Sequence, residues 1–449
     1  MPGGPARGRH TSGDEPEGCE VRRMRPLAPG QGIDARVQIP GSKSLTNRAL
    51  VLAAMAPGRS RLAGALQSDD TVACAQGLRA LGVAVLSEAD GQILVVEGSG
   101  GGPTVSNAEV DAQLSGTTAR FLAPYLALGH GRYRLDGSPR LRQRPMGGLW
   151  QALTDQGIRI DGGPALPWTI QGAGGLAGGE LVIGGNDTTQ PASGLLMAGP
   201  FARRDLDLTV ESQRAALPHV AMTAGLMAMF GVTCASPGQG RYRVPAGAVY
   251  RPGAYAIEPD ASTAAYFWSL AALSGGRVHT PGIGRSRLQG DAAFLEVLEA
   301  MGCQVETGAD GGAIVQGPVD GRLRAIDRDM SAMGDQALTL GVLGLFADGP
   351  CAVRNVAHIR LQESDRVAAA VAELRRLGAR CSERPDGFTV WPLPPEAVEP
   401  VRVRTYGDHR MAMSFALAGL RRPGVAIADP GCVSKTFPGF FETLDRAIG

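Results

Sequence analysis

This chain has no excess of charge of either sign. Lys and Arg number 44 and Asp and Glu 43 in 449 residues. No global field then draws it to nucleic acid or to an anionic membrane, and any anion site must be a local gathering of cations. Cysteine is also scarce: the seven are scattered and none forms a C-x-x-C pair. An odd, dispersed set argues for reduced thiols in the cytoplasm rather than a disulfide framework. No uninterrupted apolar run approaches the ~20 residues that span a bilayer, so no membrane partner is expected. The chain does have ample apolar material, 44% hydrophobic against 19% charged residues. Its length exceeds the usual size of a single core, and two domains are the natural division.

Residues 1–25 are polar and rich in Gly and Pro, and lack an apolar signal-peptide centre. They read as a disordered extension, with Met24 as an alternative start. Asp14, Glu15, Glu17 and Glu20 make the segment too acidic for a transit peptide.

The rest of the chain is periodic. Six times a short polar turn is followed at once by an apolar, Ala/Leu/Gly-rich stretch. Ser44, Thr117, Thr189, Ser262, Gln336 and His409 mark the turns, about 73 residues apart. Gly82, Gly157, Gly231, Gly302, Gly378 and Gly449 keep similar time and read as helix C-caps, where the chain leaves through the left-handed region. Each unit therefore holds an apolar helix, short strands such as Gln92–Glu97 and Glu180–Gly184, and a second, amphipathic helix. In Ala368–Leu377, Leu374 and Leu377 share one face while Glu373, Arg375 and Arg376 are expected to face water. Stretches such as Phe121–Leu128 and Ala412–Leu420 are apolar nearly all round, as in a helix buried inside its domain. If equivalent helices run parallel, their N-termini gather on one face, and six facing ends across a cleft make an anion trap.

The turns carry the candidate chemistry. Gly41-Ser42-Lys43-Ser44 with Arg48 one helical turn on suits phosphate, although the second glycine of a P-loop is missing. Gly116-Thr117 precedes Arg120 and a loop bearing Arg140, Arg142 and Arg144, whose guanidinium forks suit carboxylates and phosphates. Asp187-Thr188-Thr189-Gln190 is rich in donors. Asp335, beside a helix start, should be ionised and able to accept a hydroxyl proton; a plain N-cap is the simpler role for it. A charged strip, Arg360–Arg366, and Asp408-His409-Arg410 at the head of an apolar helix complete the set.

Together these segments resemble the enolpyruvyl transferases, and among them the 5-enolpyruvylshikimate-3-phosphate synthases. The resemblance is carried by P-G-S-K-S-x-x-N-R-A-L (Pro40–Leu50), S-D-D (Ser68–Asp70), G-T-x-x-R (Gly116–Arg120) and R-P (Arg144–Pro145). It continues through E-x-D-A-S-x-A-x-Y-F (Glu258–Phe267), Q-G-D (Gln289–Asp291), E-S-D-R (Glu363–Arg366), G-D-H-R-M-A-M (Gly407–Met413) and K-T-F-P (Lys435–Pro438). It implies an α/β fold, a two-domain inside-out barrel of six βαβαββ repeats, three per domain, with buried parallel helices whose N-termini face the interdomain cleft. The domains would be 26–41 plus 258–449, and 42–257. The implied reaction moves the enolpyruvyl group of phosphoenolpyruvate to the 5-hydroxyl of shikimate 3-phosphate by addition and elimination, with no metal and no organic cofactor, in a cytoplasmic monomer.

By the same resemblance Lys43, Gly116, Arg144, Gln190, Arg366, Arg410 and Lys435 receive phosphoenolpyruvate. Lys43, Ser44, Arg48, Thr188, Thr189, Gln190, Asp335 and Gln362 receive shikimate 3-phosphate. Lys43, Asp335 and Glu363 are the catalytic set: Asp335 takes the hydroxyl proton and Glu363 protonates the methylene carbon. The chain departs from the family pattern at Gln362, where lysine is common, at Thr188-Thr189 in place of Ser-Ser, at Leu114 in place of asparagine, and at Ala216, where serine is expected and Ser212 or Arg214 would have to substitute. A transferase acting on UDP-N-acetylglucosamine would usually carry a cysteine in the loop at Gly137–Pro145, and none occurs between Asp111 and Gly148. A non-catalytic relative would be expected to lose Lys43, Asp335 or Glu363.

Overall fold

The computed structural model describes residues 20–28, 31–185, 188–212, 217–397 and 399–449. Asp187, Arg214, Ala216 and most of the expected N-terminal extension lie outside them. The extension does not run to residue 25. Val21–Arg23 form a strand against Val425–Ala428, and Met24 is buried with its N–H bonded to the carbonyl of Val425. A segment of three residues binds there because the edge of that sheet would otherwise be unpaired.

The chain is mixed α/β. Among the described residues there are six small sheets, five of four strands and one of three. The repeating pattern is a parallel pair followed by two antiparallel neighbours. Asn107–Asp111 runs parallel to Arg132–Asp136, which pairs antiparallel with Trp168–Gln171 and that in turn with Arg159–Asp161. Gly179–Gly184, Leu206–Glu211, Arg241–Val244 and Ala235–Gly238 repeat the order. A helix joins the parallel pair, and a second helix leads to the antiparallel strands.

The joining helices are Lys43–Met55, Gly116–Ala127, Gln190–Ala198, Ala261–Ser274, Ala337–Leu343 and His409–Arg421. All twelve residues of Gly116–Ala127 are buried, so an apolar surface all round matches its surroundings. These helices start before the apolar stretches do, because the polar turn residues themselves form the first turn. Ser42, Ser115, Asp260 and Asp408 are the caps, each accepting a backbone N–H with its side chain. Ser44, Thr117 and Ser262 lie two residues beyond their caps, so their side chains are not used in capping. The fifth helix is shorter than its apolar stretch and tightens into a 3₁₀ turn over Gly344–Phe346.

The second helices are Asp69–Ala80, Gly147–Asp155, Pro218–Met229, Phe294–Ala300, Arg366–Arg376 and Phe440–Ile448. The six spaced glycines stand just past them, all left-handed, with φ from +82° at Gly157 to +102° at Gly302. One expectation about this helix class fails. Glu373 does not face water but is fully buried, since Arg376, Tyr406 and the N–H of Arg404 close over its carboxylate.

The buried apolar side chains fall into two clusters. One runs from Leu45 to Ile257; the other takes Met24, Ile33, Val37 and Ile39 and then Ala261 to Ile448. Each cluster with its surrounding elements is called a lobe below. Two units exchange their first strands. Asp34–Arg36, which precedes helix Lys43–Met55, pairs with Arg277–Thr280 of the other lobe. Ala254–Ala256, which precedes helix Ala261–Ser274, pairs with Pro57–Ala63. The two crossing segments touch, Ser42 N–H to Glu258 O and Asp260 N–H to Pro40 O, both at 2.8 Å. Asp260 then caps a helix in each lobe, accepting from the N–H of Lys43 at 3.2 Å and of Thr263 at 2.8 Å.

The C-cap reading yields a test at Gly157, where an added Cβ would meet nothing within 4 Å. Gly157→Ala then suffers only from its left-handed backbone, and should lower the unfolding free energy by roughly 1 kcal/mol. An unchanged denaturant midpoint would contradict this.

Candidate active site

Five of the six buried helices, or the turns that open them, bring residues to one cleft between the lobes. Lys43, Ser44 and Arg48 come from the first, Gly116 and Thr117 from the second, and Thr188, Thr189 and Gln190 from the third. Asp335 comes from the turn Gly334–Gln336, and His409 and Arg410 from the last helix. Gln362, Glu363 and Arg366 enter at the head of helix Arg366–Arg376, and Arg144 from the loop ahead of Gly147. These residues enclose about 900 Å³ of space, part of it open to solvent. Of the residues assigned to a substrate or to catalysis from the sequence only Lys435 stands behind the lining, 7% exposed, with its ammonium on Asp70. Two of the six turn markers also stay off the cleft: Gln336 is fully buried and donates to the carbonyl of Ser262, and Ser262 bonds Asp291 in a small annex lined also by Ser44 and His219.

Cations and carboxylates alternate through the cleft. Lys43 Nζ lies 3.1 Å from Asp70, and Asp70 3.1 Å from Lys435. Lys435 stands 3.7 Å from Glu363, which also meets Arg144 at 3.8 Å and Arg366 at 2.9 Å. Arg366 reaches Asp335 at 2.9 Å and Asp408 at 2.8 Å, and Arg410 reaches the second oxygen of Asp335 at 2.6 Å. Ion pairs at such distances are worth ~4 kcal/mol each at an effective dielectric near 20, so they decide the protonation states. Burial raises the carboxyl pKa of Asp335, but Arg410 and Arg366 outweigh it and hold the group far below the usual range. Arg366, Arg144 and Lys435 do the same for Glu363. Both are ionised, and the simpler role for Asp335, a helix cap, does not describe it: its oxygens accept from Arg366 and Arg410, and the turn Gly334–Gln336 has no side-chain cap bond.

The lining still carries more positive than negative charge: Lys43, Arg48, Arg144, Arg366 and Arg410 against Asp70, Asp335 and Glu363. Among the described residues no carboxylate pairs with Arg48. It is 2% exposed, donates to Thr223 Oγ1 at 2.7 Å and to the carbonyls of Ser44 and His219, and stacks 4.9 Å from the Phe121 ring centre. Burial lowers its pKa to about 9, still cationic at neutral pH. Its partners are neutral oxygens, so its charge stays available to an anion in the cleft. Burial, and then Lys43 and Arg410, push His409 well below the ordinary imidazole value. It is neutral, and neither ring nitrogen has a hydrogen-bond partner among the described residues.

The arginine loop divides by role. Arg142 pairs with Asp136 away from the cleft, Arg140 donates to the backbone carbonyl of Glu363 at 3.0 Å across the lobes, and Arg144 lines the cleft. At Gly116 a Cβ would meet Arg120 Nη1 at 2.5 Å and Arg144 Nη1 at 2.7 Å, so any larger residue there has to displace the tips of two arginines. Asp70, Thr117, His219, Ser331, His358 and His409 line the cleft without having been assigned a role from the sequence. Asp70 and His409 stood inside quoted motifs, whereas nothing near Ser331 or His358 marked them.

Comparison with known proteins agrees with this geometry. A family model described as EPSP synthase (3-phosphoshikimate 1-carboxyvinyltransferase) matches residues 27–444. The 3-phosphoshikimate 1-carboxyvinyltransferase of Trichormus variabilis is 43% identical over 420 residues, 93% of this chain and 97% of that protein. The chloroplastic enzyme of Solanum lycopersicum is 42% identical over 437 residues, 94% of this chain and 84% of its own. Among solved structures, EPSP synthase from Acinetobacter baumannii superposes with a TM-score of 0.78 at 24% identity, covering 95% and 98% of the two chains. The enolpyruvyl transferase NikO from Streptomyces tendae gives 0.76 at 19%, covering 96% and 98%. These two likenesses speak for the fold alone. With the family model spanning nearly the whole described chain and identity above 40% to bacterial and plant relatives, the chain belongs to the EPSP synthase family.

Proposed function

We propose that this cleft transfers the enolpyruvyl group of phosphoenolpyruvate to the 5-hydroxyl of shikimate 3-phosphate, releasing phosphate, and that the residues above divide the work as follows. The reaction is that of the family. What supports the division is a single juxtaposition: Asp335 and Glu363, both ionised, share the buried guanidinium of Arg366 at 2.9 Å each.

Two polyanions have to be held side by side, which requires fixed positive charge in a water-poor space. Lys43, Arg144, Arg366, Arg410 and Lys435 surround phosphoenolpyruvate, with Gly116 and Gln190 against it. Ser44, Arg48, Thr188, Thr189, Gln190 and Gln362 take shikimate 3-phosphate, with Lys43 and Asp335 between the two. Arg48, the lining cation without a carboxylate on it, is assigned to the acceptor's phosphate. An arriving phosphoenolpyruvate draws the field of Arg144, Arg366 and Lys435 to itself. The pKa values of Glu363 and Asp335 then rise, so each becomes able to hold a proton. Glu363 takes up a proton from solvent as phosphoenolpyruvate binds; the hydroxyl oxygen then attacks C2 as its proton passes to Asp335, and Glu363 gives its proton to C3. In the second step the C2–O bond to phosphate breaks, a methyl proton returns to Glu363, and phosphate leaves with the proton from Asp335.

In this reading the six repeats form an inside-out α/β barrel in two domains, 26–41 with 258–449 and 42–257, whose buried helices aim their N-termini at the substrates. The enzyme works as a monomer in the cytoplasm. Among the described residues no helix is long and apolar enough to cross a membrane.

Phosphate release from phosphoenolpyruvate should require shikimate 3-phosphate and ignore UDP-N-acetylglucosamine; release with the nucleotide sugar as acceptor would overturn the assignment. Asp335→Asn and Glu363→Gln should each lower kcat by about 10²–10⁴-fold while shikimate 3-phosphate still binds. Full turnover in either variant would remove that residue from proton transfer. Gln362→Lys should tighten shikimate 3-phosphate binding by roughly tenfold through one added charge-assisted contact. An unchanged Kd would place that side chain off the acceptor.

A further inference from the structure

A carboxylate that the chemistry does not use lies buried beyond the cleft. Glu373 follows Arg366 by seven residues on helix Arg366–Arg376, or ~10.5 Å along its axis. Its partners come from the segment that leads into the Asp408-His409-Arg410 turn. Oε1 accepts from the Tyr406 hydroxyl at 2.9 Å and Oε2 from the Arg404 N–H at 3.1 Å, while Arg376 Nη1 stands 3.2 Å away.

Tyr406 has φ +58° and is followed by Gly407 at +66°. A tyrosine stays in the left-handed region only where its surroundings hold it. Packing does not do so here, because 46% of the residue is exposed. The anchored end is the hydroxyl. At the other end of the same helix, Asp408 accepts from Arg366 Nε at 2.8 Å and Nη2 at 3.2 Å, and from the N–H of Arg410 at 3.0 Å. Helix and turn are therefore joined at two points: Arg366 to Asp408 beside the cleft, and Glu373 to Tyr406 two helical turns away.

We propose that Glu373 and Tyr406 are positioning residues: their contact fixes the strained turn against helix Arg366–Arg376, and so sets the separation at which Arg366 and Arg410 receive phosphoenolpyruvate. This rests on the reading of those two arginines as holders of that substrate. Neither Glu373 nor Tyr406 touches the cleft. A contact that served only to stabilise the fold would, when lost, lower the unfolding temperature and leave both Michaelis constants in place.

The decisive variant is Tyr406→Phe, which keeps the ring and removes the one oxygen. The KM for phosphoenolpyruvate should rise by roughly tenfold, the size of one hydrogen bond to a charged group, with the KM for shikimate 3-phosphate within about twofold of its starting value. Glu373→Gln should act in the same direction, and the double variant should be no worse than the stronger single one, as for partners in one contact. Should Glu373→Gln fail to fold, Tyr406→Phe alone decides. An unchanged KM for phosphoenolpyruvate, or equal rises for both substrates, overturns the proposal. Arg410→Lys, measured beside it, separates the two claims. If it raises the KM for phosphoenolpyruvate while Tyr406→Phe does not, the positioning role is wrong and the site reading stands. If neither variant moves it, both are wrong.

Discussion

Arg366 is the residue on which the cleft depends. With 1% of its side chain exposed, it bonds Asp335, Glu363 and Asp408 at once. Three carboxylates from three separate stretches of chain would repel one another, and a guanidinium with five N–H groups is the side chain that can satisfy them all. Removing it would leave uncompensated buried charge, which costs far more than an intact network contributes. The arrangement also explains why the two carboxylates are ionised, and their charge offsets part of the excess of cations in the lining.

Much of this was legible in the sequence because it repeats. The period near 73 residues and the six C-cap glycines reflect local backbone chemistry, and local chemistry survives in a linear string. The residues at the helix heads were legible for the same reason. What escaped depends on partners far away in the chain. Glu373 sits on the polar stripe of an amphipathic helix and looks solvated; only Arg404 and Tyr406, some thirty residues on, bury it. Arg140, Arg142 and Arg144 are alike in sequence, yet one bonds a carbonyl of the other lobe, one a neighbouring aspartate, and one faces the cleft. The strand Val21–Arg23 is too short and too charged to show a period, and exists because one edge of Val425–Ala428 would otherwise be unpaired.

Asp260 and Gly116 show how closely backbone and site are tied. One carboxylate caps a helix in each lobe at the point where the chain crosses, and one of the N–H groups it holds belongs to Lys43. At Gly116 two guanidiniums lie against the main chain, and a side chain there would have to push them aside. In both places the positions of cations are set by main-chain contacts, which are stiffer than the side chains they aim.

The exchange of first strands bears on the order in which the protein is made. Ala254–Ala256 completes the sheets around the core that runs from Leu45 to Ile257. That lobe can close as soon as those residues leave the ribosome. Asp34–Arg36 emerges far earlier, yet its neighbour is Arg277–Thr280, and Val21–Arg23 waits for the much later Val425–Ala428. The lobe that ends at Ile257 can therefore mature before the strands that precede it in the chain are paired, and those strands spend translation as bare edges, the state in which nascent chains are most prone to pair wrongly.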